Sequence, residues 1–284
     1  MRLGTVSGRA SLITESGAID VEKASQGLFG PDVTEIYEQW AQFFDWASAP
    51  ADSPDAASVP FDRSDLGSPS PAPRQVFAIG LNYRSHAAEV AVEMPDLPPW
   101  PPTFTKFVTS LSGPYTDLKL PSRRVDWEVE LVVVIGVRGE RITEEAAWSH
   151  VAGLTVGQDF SERDVQRAGP APQFSLGKSF PGFGPTGPWL VTTDEVGDPD
   201  DLALECVING VTVQKSRTSM MILSVPRLIA RLSSVAPLLP GDLIFTGTPS
   251  GVGMGRKPES YLNPGDEVVS TIAGIGTLRQ MCVG

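Results

Sequence analysis

The run from Val125 to Val137 constrains the fold more tightly than any other stretch. Its alternation puts Asp126, Glu128 and Glu130 on one face of an extended strand, with Val125, Trp127, Val129, Leu131 and Val133 on the other. The continuation Leu131–Ile135 is apolar on both faces, the pattern of a strand inside a packed domain. A row of carboxylates therefore enters the domain along a mostly buried strand. Side chains two apart on one face lie roughly 7 Å from each other, and at an effective dielectric of about 20 each like-charged pair costs on the order of 2–3 kcal/mol. Two arrangements relieve that cost: a cation that neutralises the row, or an edge strand whose acidic face reaches water.

The rest of the composition narrows the setting. A length of 284 residues suits one large domain, or a small one beside a large one, and 41% hydrophobic content supports a sizeable core. A net charge of −12 argues against nucleic acid and anionic membranes as partners. Met1–Ala10 has no apolar segment of the export type, and no apolar run approaches the about 18 residues of a membrane span. Cys206 and Cys282 form neither a metal-type spacing nor a disulfide framework, so a reducing cytoplasm is the expected compartment.

Along the chain, residues 1–70 differ in kind from the remainder. Met1–Ile19 reads as short strands with Ser-Gly breaks, Val33–Ala47 as an aromatic-rich helix, and Ser48–Pro73 as a linker or wrapping arm. A small N-terminal accessory domain with its linker over 1–70, followed by a larger domain over 71–284, is the expected organisation. Gln75–Gly80 is a short strand, and Ser85 is placed to cap a helix through Val92. That helix sets His86 and Glu89 three apart on one face, a pair able to hold and activate a water or a plain surface ion pair. Glu93–Thr103 carries Pro95, Pro98, Pro99, Pro101 and Pro102, which exclude helix and central strand and suit a lid tether or a surface loop.

Phe104–Phe107 is a further strand, and Thr143–His150 reads as a helix capped by Thr143. Val151–Gln158 is an apolar strand that Asp159 closes, either as a functional side chain at a strand end or as a helix cap. Gly177-Lys178-Ser179 suggests a phosphate loop, but Pro172 occupies the position where that motif needs glycine. Leu202–Gln214 is a hairpin around Asn209-Gly210, and Met220–Ser233 holds a helix whose start Pro226 moves later. Thr246–Gly253 is a glycine-rich loop without dinucleotide spacing, suited to close approach of backbone to a site. The chain is mainly β, with few helices and many turns.

Taken together, five separated motifs resemble the fumarylacetoacetate hydrolase family, and the likeness runs over residues 74–284. They are Gly80–Glu89, Asp126–Leu131, Gln158–Gln166, Gly177–Phe180 with Gly187-Pro188-Trp189, and Pro240-Gly241-Asp242 with Thr246–Pro249. The resemblance implies a mixed β-roll with a small N-terminal α+β domain, usually a homodimer, and a divalent metal on Glu128, Glu130 and Asp159. Three carboxylates suit Mg²⁺, or Mn²⁺ in its place. Larger relatives add an aspartate seven residues before the histidine; Ile79 stands there in this chain, which implies a more open site.

The same resemblance makes His86 and Glu89 a water-activating dyad on a lid and Lys178 a cation that stabilises an enolate. It places Arg163, Gln166 and Thr248 in contact with substrate. The implied reaction is hydrolysis of a carbon–carbon bond in a 2,4-diketo acid, giving pyruvate and a second acid. Gly251–Pro258 with Tyr261-Leu262 is similar to the branch acting on diketo-deoxy sugar acids. Decarboxylation of oxaloacetate, isomerisation or hydration of unsaturated 2-keto acids, and non-catalytic binding of a keto acid are the alternatives on the same site.

Overall fold

Val129–Ile135 is a central strand, paired antiparallel with Val151–Gln158 on one side and Leu243–Phe245 on the other. Every residue in it is buried, which excludes an edge strand with a solvated acidic face. The alternation sorts its side chains between two cores. Val129, Leu131, Val133 and Ile135 join the larger one, while Val132 and Val134 pack with Val76, Ala78, Phe245 and the aromatic side chains of Tyr37, Trp40 and Phe43. Each such side chain removed from water contributes about 1.5–3 kcal/mol, so this strand anchors both layers.

The computed structural model describes residues 1–49, 58–93, 95 and 99–284. Parts of the Ser48–Pro73 linker and of the Pro-rich Glu93–Thr103 stretch lie outside the described residues. The large sheet runs in the order Ala18–Asp20, Arg9–Ile13, Arg2–Val6, Gly184–Val191, Val151–Gln158, Val129–Ile135, Leu243–Phe245, Val76–Ile79 and Thr103–Thr105. A second sheet of five strands orders Val211–Arg217, Ala203–Ile208, Glu267–Ile272, Gly276–Val283 and Tyr115–Lys119. Both sheets mix parallel and antiparallel pairs, and helices are short and few: a mainly β roll. Among the described residues no helix is long and apolar enough to cross a membrane.

The N-terminal segment carries its own aromatic cluster on helices Val33–Glu38 and Trp40–Ser48, interrupted at Gln39, where one continuous helix is expected from sequence. Its strands are not a separate sheet. Arg2–Val6 pairs with Gly184–Val191, so the large sheet crosses residue 70.

Two local expectations change. The helix after Gly80 spans Arg84–Glu89 with Tyr83 at its N-cap, so Ser85 lies inside it and caps nothing. Thr143–His150 is helical only as a 3₁₀ turn at Ala147–His150, with Ala146 rather than Thr143 at its N-cap. The Asn209-Gly210 hairpin and a helix starting beyond Met220, at Val225, are present as the sequence indicates.

Candidate metal centre and active site

The strand breaks at Trp127-Glu128, and that break builds the site. Instead of ladder partners, the Glu128 N–H donates to the Gln158 side-chain oxygen at 2.7 Å and the Val129 N–H to that of Gln214 at 3.0 Å. Asp126 thereby leaves the row. Its carboxylate accepts the Gly253 and Met254 N–H groups at 2.6 and 2.9 Å and pairs with the Arg163 guanidinium at 2.7 Å. Glu128 and Glu130 remain, and Asp159 joins them from the end of the neighbouring strand, its N–H bonded to the Glu128 carbonyl. One oxygen from each of the three lies within 4.8 Å of the others, all in buried side chains.

Cations surround this cluster unevenly. Lys178 Nζ sits 2.7 Å from Glu128 Oε2 and 2.5 Å from Asp159 Oδ2. Arg163 Nη1 lies 2.7 Å from Glu128 Oε1 and donates to Gln166 Oε1 at 2.8 Å. Lys106, fully buried, places Nζ 2.6 Å from Asp159 Oδ1 and also donates to the Lys178 carbonyl. Glu130 makes no ion pair among the described residues; its Oε2 accepts the Gly247 N–H at 2.8 Å. Gly247 needs its φ of +98° for this, and a Cβ there would meet Asn82 Cβ at 2.8 Å.

The titration behaviour follows from that geometry. Burial alone would push the Glu128 carboxyl up, but Lys178 and Arg163 overcome it and hold the group down at about 2. Burial, then the charges of Asp159 and Glu128, lift Glu130 well above the ordinary carboxylate range. Burial disfavours the Lys178 ammonium, yet Asp159 and Glu128 more than offset it, and its pKa is raised. Lys106 is lowered, because burial outweighs Asp159. Hard oxygen donors that converge, with one buried carboxylate short of a counter-charge, fit a hard dication.

His86 and Glu89 stand on the helix Arg84–Glu89, with His86 Nδ1 3.2 Å from Glu89 Oε2. Glu89 Oε1 accepts the Gly251 N–H at 2.9 Å, which ties the dyad to the glycine-rich loop. The preceding Asn82 is structural: its amide donates to the carbonyls of Leu223 and Thr246 and accepts the Leu223 N–H. Leu81, at φ +56°, occupies the left-handed region where the strand turns into this helix, a conformation uncommon for such a side chain.

A cavity of about 280 Å³ joins part of this set; Glu130, Asp159 and Glu89 are not among its lining residues. His86, Glu128, Arg163, Gln166, Lys178 and Thr248 all line it, while Ile79, Leu81, Phe104, Phe174 and Met254 form an apolar wall. Thr248 is less available than its family position implies, since its hydroxyl donates to the Val129 carbonyl at 2.9 Å and accepts from Gln214 at 2.8 Å. Lys106 is the residue that sequence reasoning missed. The one signal was a lone lysine in the short strand segment Phe104-Thr105-Lys106-Phe107, which by itself does not say where the ammonium goes.

A β-roll with a buried carboxylate triad beside a His–Glu pair defines a class of small-molecule enzymes. The family model described as "Fumarylacetoacetate (FAA) hydrolase C-terminal" matches residues 75–283, and the chain belongs to that family. Over 212 residues the chain is 45% identical to an oxaloacetate tautomerase, FAHD2A, of Bos taurus, covering 74% of this chain and 67% of that one. It is 44% identical over 239 residues to a 2,4-didehydro-3-deoxy-L-rhamnonate hydrolase of Sphingomonas sp. (strain SKA58), covering 82% of each. Among solved structures, a Mycobacterium smegmatis protein with a provisional HpcE name superposes at TM-score 0.92 with 55% identity, covering 100% of this chain and 99% of that one. The maleylpyruvate hydrolase of Sphingobium sp. SYK-6, in complex with manganese(II) and pyruvate, superposes at 0.79 with 26% identity over 100% and 99%.

Proposed function

We propose that this chain is a Mg²⁺- or Mn²⁺-dependent hydrolase that cleaves a carbon–carbon bond of a 2,4-diketo acid, releasing pyruvate and a second carboxylic acid. The observation that carries this reading is the His86–Glu89 pair, 3.2 Å apart, with His86 lining the same cavity as Glu128 and Lys178. Glu128, Glu130 and Asp159 would hold the ion. When bound, the ion supplies Lewis acidity toward the oxygens of a 2-keto acid.

The protein's own residues account for the remainder. With Nδ1 donating to Glu89, His86 keeps Nε2 as its acceptor, the tautomer a general base requires. Nε2 takes a proton from water, and the water oxygen adds to the distal carbonyl. The bond between that carbon and the three-carbon fragment breaks, and its electron pair moves onto the fragment. The proton held by His86 then balances the fragment as pyruvate. The Lys178 ammonium faces the charge that develops there, and the apolar wall limits competing water.

A second reading is supported by the relative that is an oxaloacetate tautomerase: interconversion of keto and enol oxaloacetate on the same groups. One panel separates the two. Acylpyruvates, diketo-deoxy acids and oxaloacetate are supplied with Mg²⁺ or Mn²⁺, and pyruvate release and loss of enol absorbance are followed. Hydrolysis predicts pyruvate from a diketo acid, lost by about 10²–10⁴-fold in His86→Ala with Mn²⁺ affinity retained. Rapid conversion of enol oxaloacetate without pyruvate from any diketo acid would replace the hydrolase reading with the tautomerase one.

A further inference from the structure

Each carboxylate of the triad has one oxygen held by a different donor on the protein side. Arg163 Nη1 holds Glu128 Oε1 at 2.7 Å, the Gly247 N–H holds Glu130 Oε2 at 2.8 Å, and Lys106 Nζ holds Asp159 Oδ1 at 2.6 Å. That leaves Glu128 Oε2 and Asp159 Oδ2, which both meet Lys178, and Glu130 Oε1. A carboxylate oxygen held by a buried cation keeps a lone pair but not its freedom to turn, so the group cannot readily swing both oxygens onto one ion. The distinction matters because Ca²⁺ takes six to eight oxygens in flexible arrangements and often draws on both oxygens of a carboxylate. Mg²⁺ demands a compact octahedron of single-oxygen ligands and water, and Mn²⁺ shares that octahedral preference.

We propose that Lys106 is a specificity-determining residue for the metal: by tying one oxygen of Asp159 it holds the site to one-oxygen ligands and so selects Mg²⁺ or Mn²⁺ against Ca²⁺. The inference rests on the metal-dependent reading above. Of the three ties, that of Lys106 is the one a side-chain substitution isolates best. Arg163 is also committed to Asp126 and Gln166, and the Gly247 donor is backbone, so neither can be removed alone. Lys106 is fixed by three contacts within its own pocket: Asp159, the Lys178 carbonyl, and the Phe245 ring 5.8 Å from the ammonium. Nothing in that pocket lets the side chain swing to water, for its exposure is 0%.

The test is metal competition on the full, metal-stripped chain. Free Mn²⁺ is read by its EPR signal, and Ca²⁺ and Mg²⁺ are titrated as competitors against wild type and Lys106→Met. Removing the ammonium makes the site more negative and tightens every dication alike, so the ratio of the Ca²⁺ to the Mg²⁺ constant is the informative quantity. It is expected to shift toward Ca²⁺ by about tenfold, the lower end of the effect of removing a partner that orients a metal ligand. An unchanged ratio in a folded variant that still binds Mn²⁺ overturns the role of Lys106 and leaves the metal reading standing. Absence of Mn²⁺ binding to wild type overturns both. Should Lys106→Met fail to fold, wild-type crystals soaked in Ca²⁺ decide: Asp159 bound through one oxygen with Oδ1 still on Lys106 supports the proposal, and Asp159 bound through both oxygens overturns it.

Discussion

Asp126 and Arg163 meet in a fully buried ion pair, with the Arg163 Nε and Nη2 atoms 2.8 and 2.7 Å from the same carboxylate oxygen. The pair joins the acidic strand to the helix Arg163–Gln166 and brings the rest of the guanidinium against Glu128. Asp126 also accepts the N–H groups of Gly253 and Met254, so the glycine-rich loop depends on it as well. Asp126→Asn removes the charge, leaves part of Arg163 buried without a partner, and turns an amide hydrogen toward donors. The expected loss is about 3–5 kcal/mol of unfolding free energy, read from urea titrations. A variant as stable as wild type would show that the pair contributes little to the fold.

This pair also marks how far the sequence could be read. Alternation from Val125 to Ile135 assigned each apolar side chain to the correct one of two faces, because a period of two is a local property of the strand. It also put Asp126, Glu128 and Glu130 in one row, and there the local rule ends. The side chains of Gln158 and Gln214 take over two ladder positions and redirect the chain, and contacts 30 and 85 residues away in sequence leave no periodic trace. The approach of His86 to Glu89 was legible from helix spacing, and the convergence of Glu128, Glu130 and Asp159 through the family motifs. Lys106 was not. Its position depends on contacts with Asp159, Lys178 and Phe245, none of them near it in the chain.

Glu130 gives the metal-free protein a distinct pH dependence. Its folded pKa is raised above the ordinary 4.5 by burial and by the charges of Asp159 and Glu128, so its favourable contribution is complete below about 4.5 and is lost as pH rises through the folded value. Glu130→Gln removes this penalty. In EDTA at neutral pH the variant should therefore be more stable than wild type by about 1–3 kcal/mol, and the advantage should vanish as pH falls toward 4.5. With Mn²⁺ the order should reverse, since the amide is a poorer ligand. Denaturation midpoints across pH, with and without the ion, test both signs. A difference independent of pH would show that Glu130 is held charged without cost.

Gly255 faces the dyad so closely that a Cβ built on it would lie 2.2 Å from Glu89 Cγ and 2.4 Å from its Cδ. The obstacle is a side chain rather than backbone, so Gly255→Ala can be accommodated by moving Glu89. Such a move separates the carboxylate from His86 Nδ1 and from the Gly251 N–H. The expected result is a fall in kcat of about 10-fold or more with stability changed by less than about 1 kcal/mol, and a similar fall in Glu89→Gln. Steady-state kinetics beside thermal melts make the comparison. Unchanged turnover in Gly255→Ala would mean that the position of Glu89 is not important to the reaction.

Lys178 Nζ lies 2.7 Å from Glu128 Oε2 and 2.5 Å from Asp159 Oδ2, on two of the three carboxylates that would hold an ion. An ammonium and a dication beside the same two carboxylates would repel one another, and unit charges about 4 Å apart interact by about 4 kcal/mol at an effective dielectric near 20. Replacing Lys178 with methionine keeps much of the side-chain volume and removes that repulsion. Mn²⁺ should then bind on the order of tenfold more tightly, a conservative share of that energy because two carboxylates also lose a partner. Turnover should move the other way, falling by about 10²–10³-fold, as expected when a preorganised donor to developing negative charge is lost. The opposite signs are the point of the experiment. A merely structural lysine would lower both quantities together, as the site loosened. Tighter binding with lost turnover identifies a cation that stands against the metal so as to meet the charge formed during the reaction.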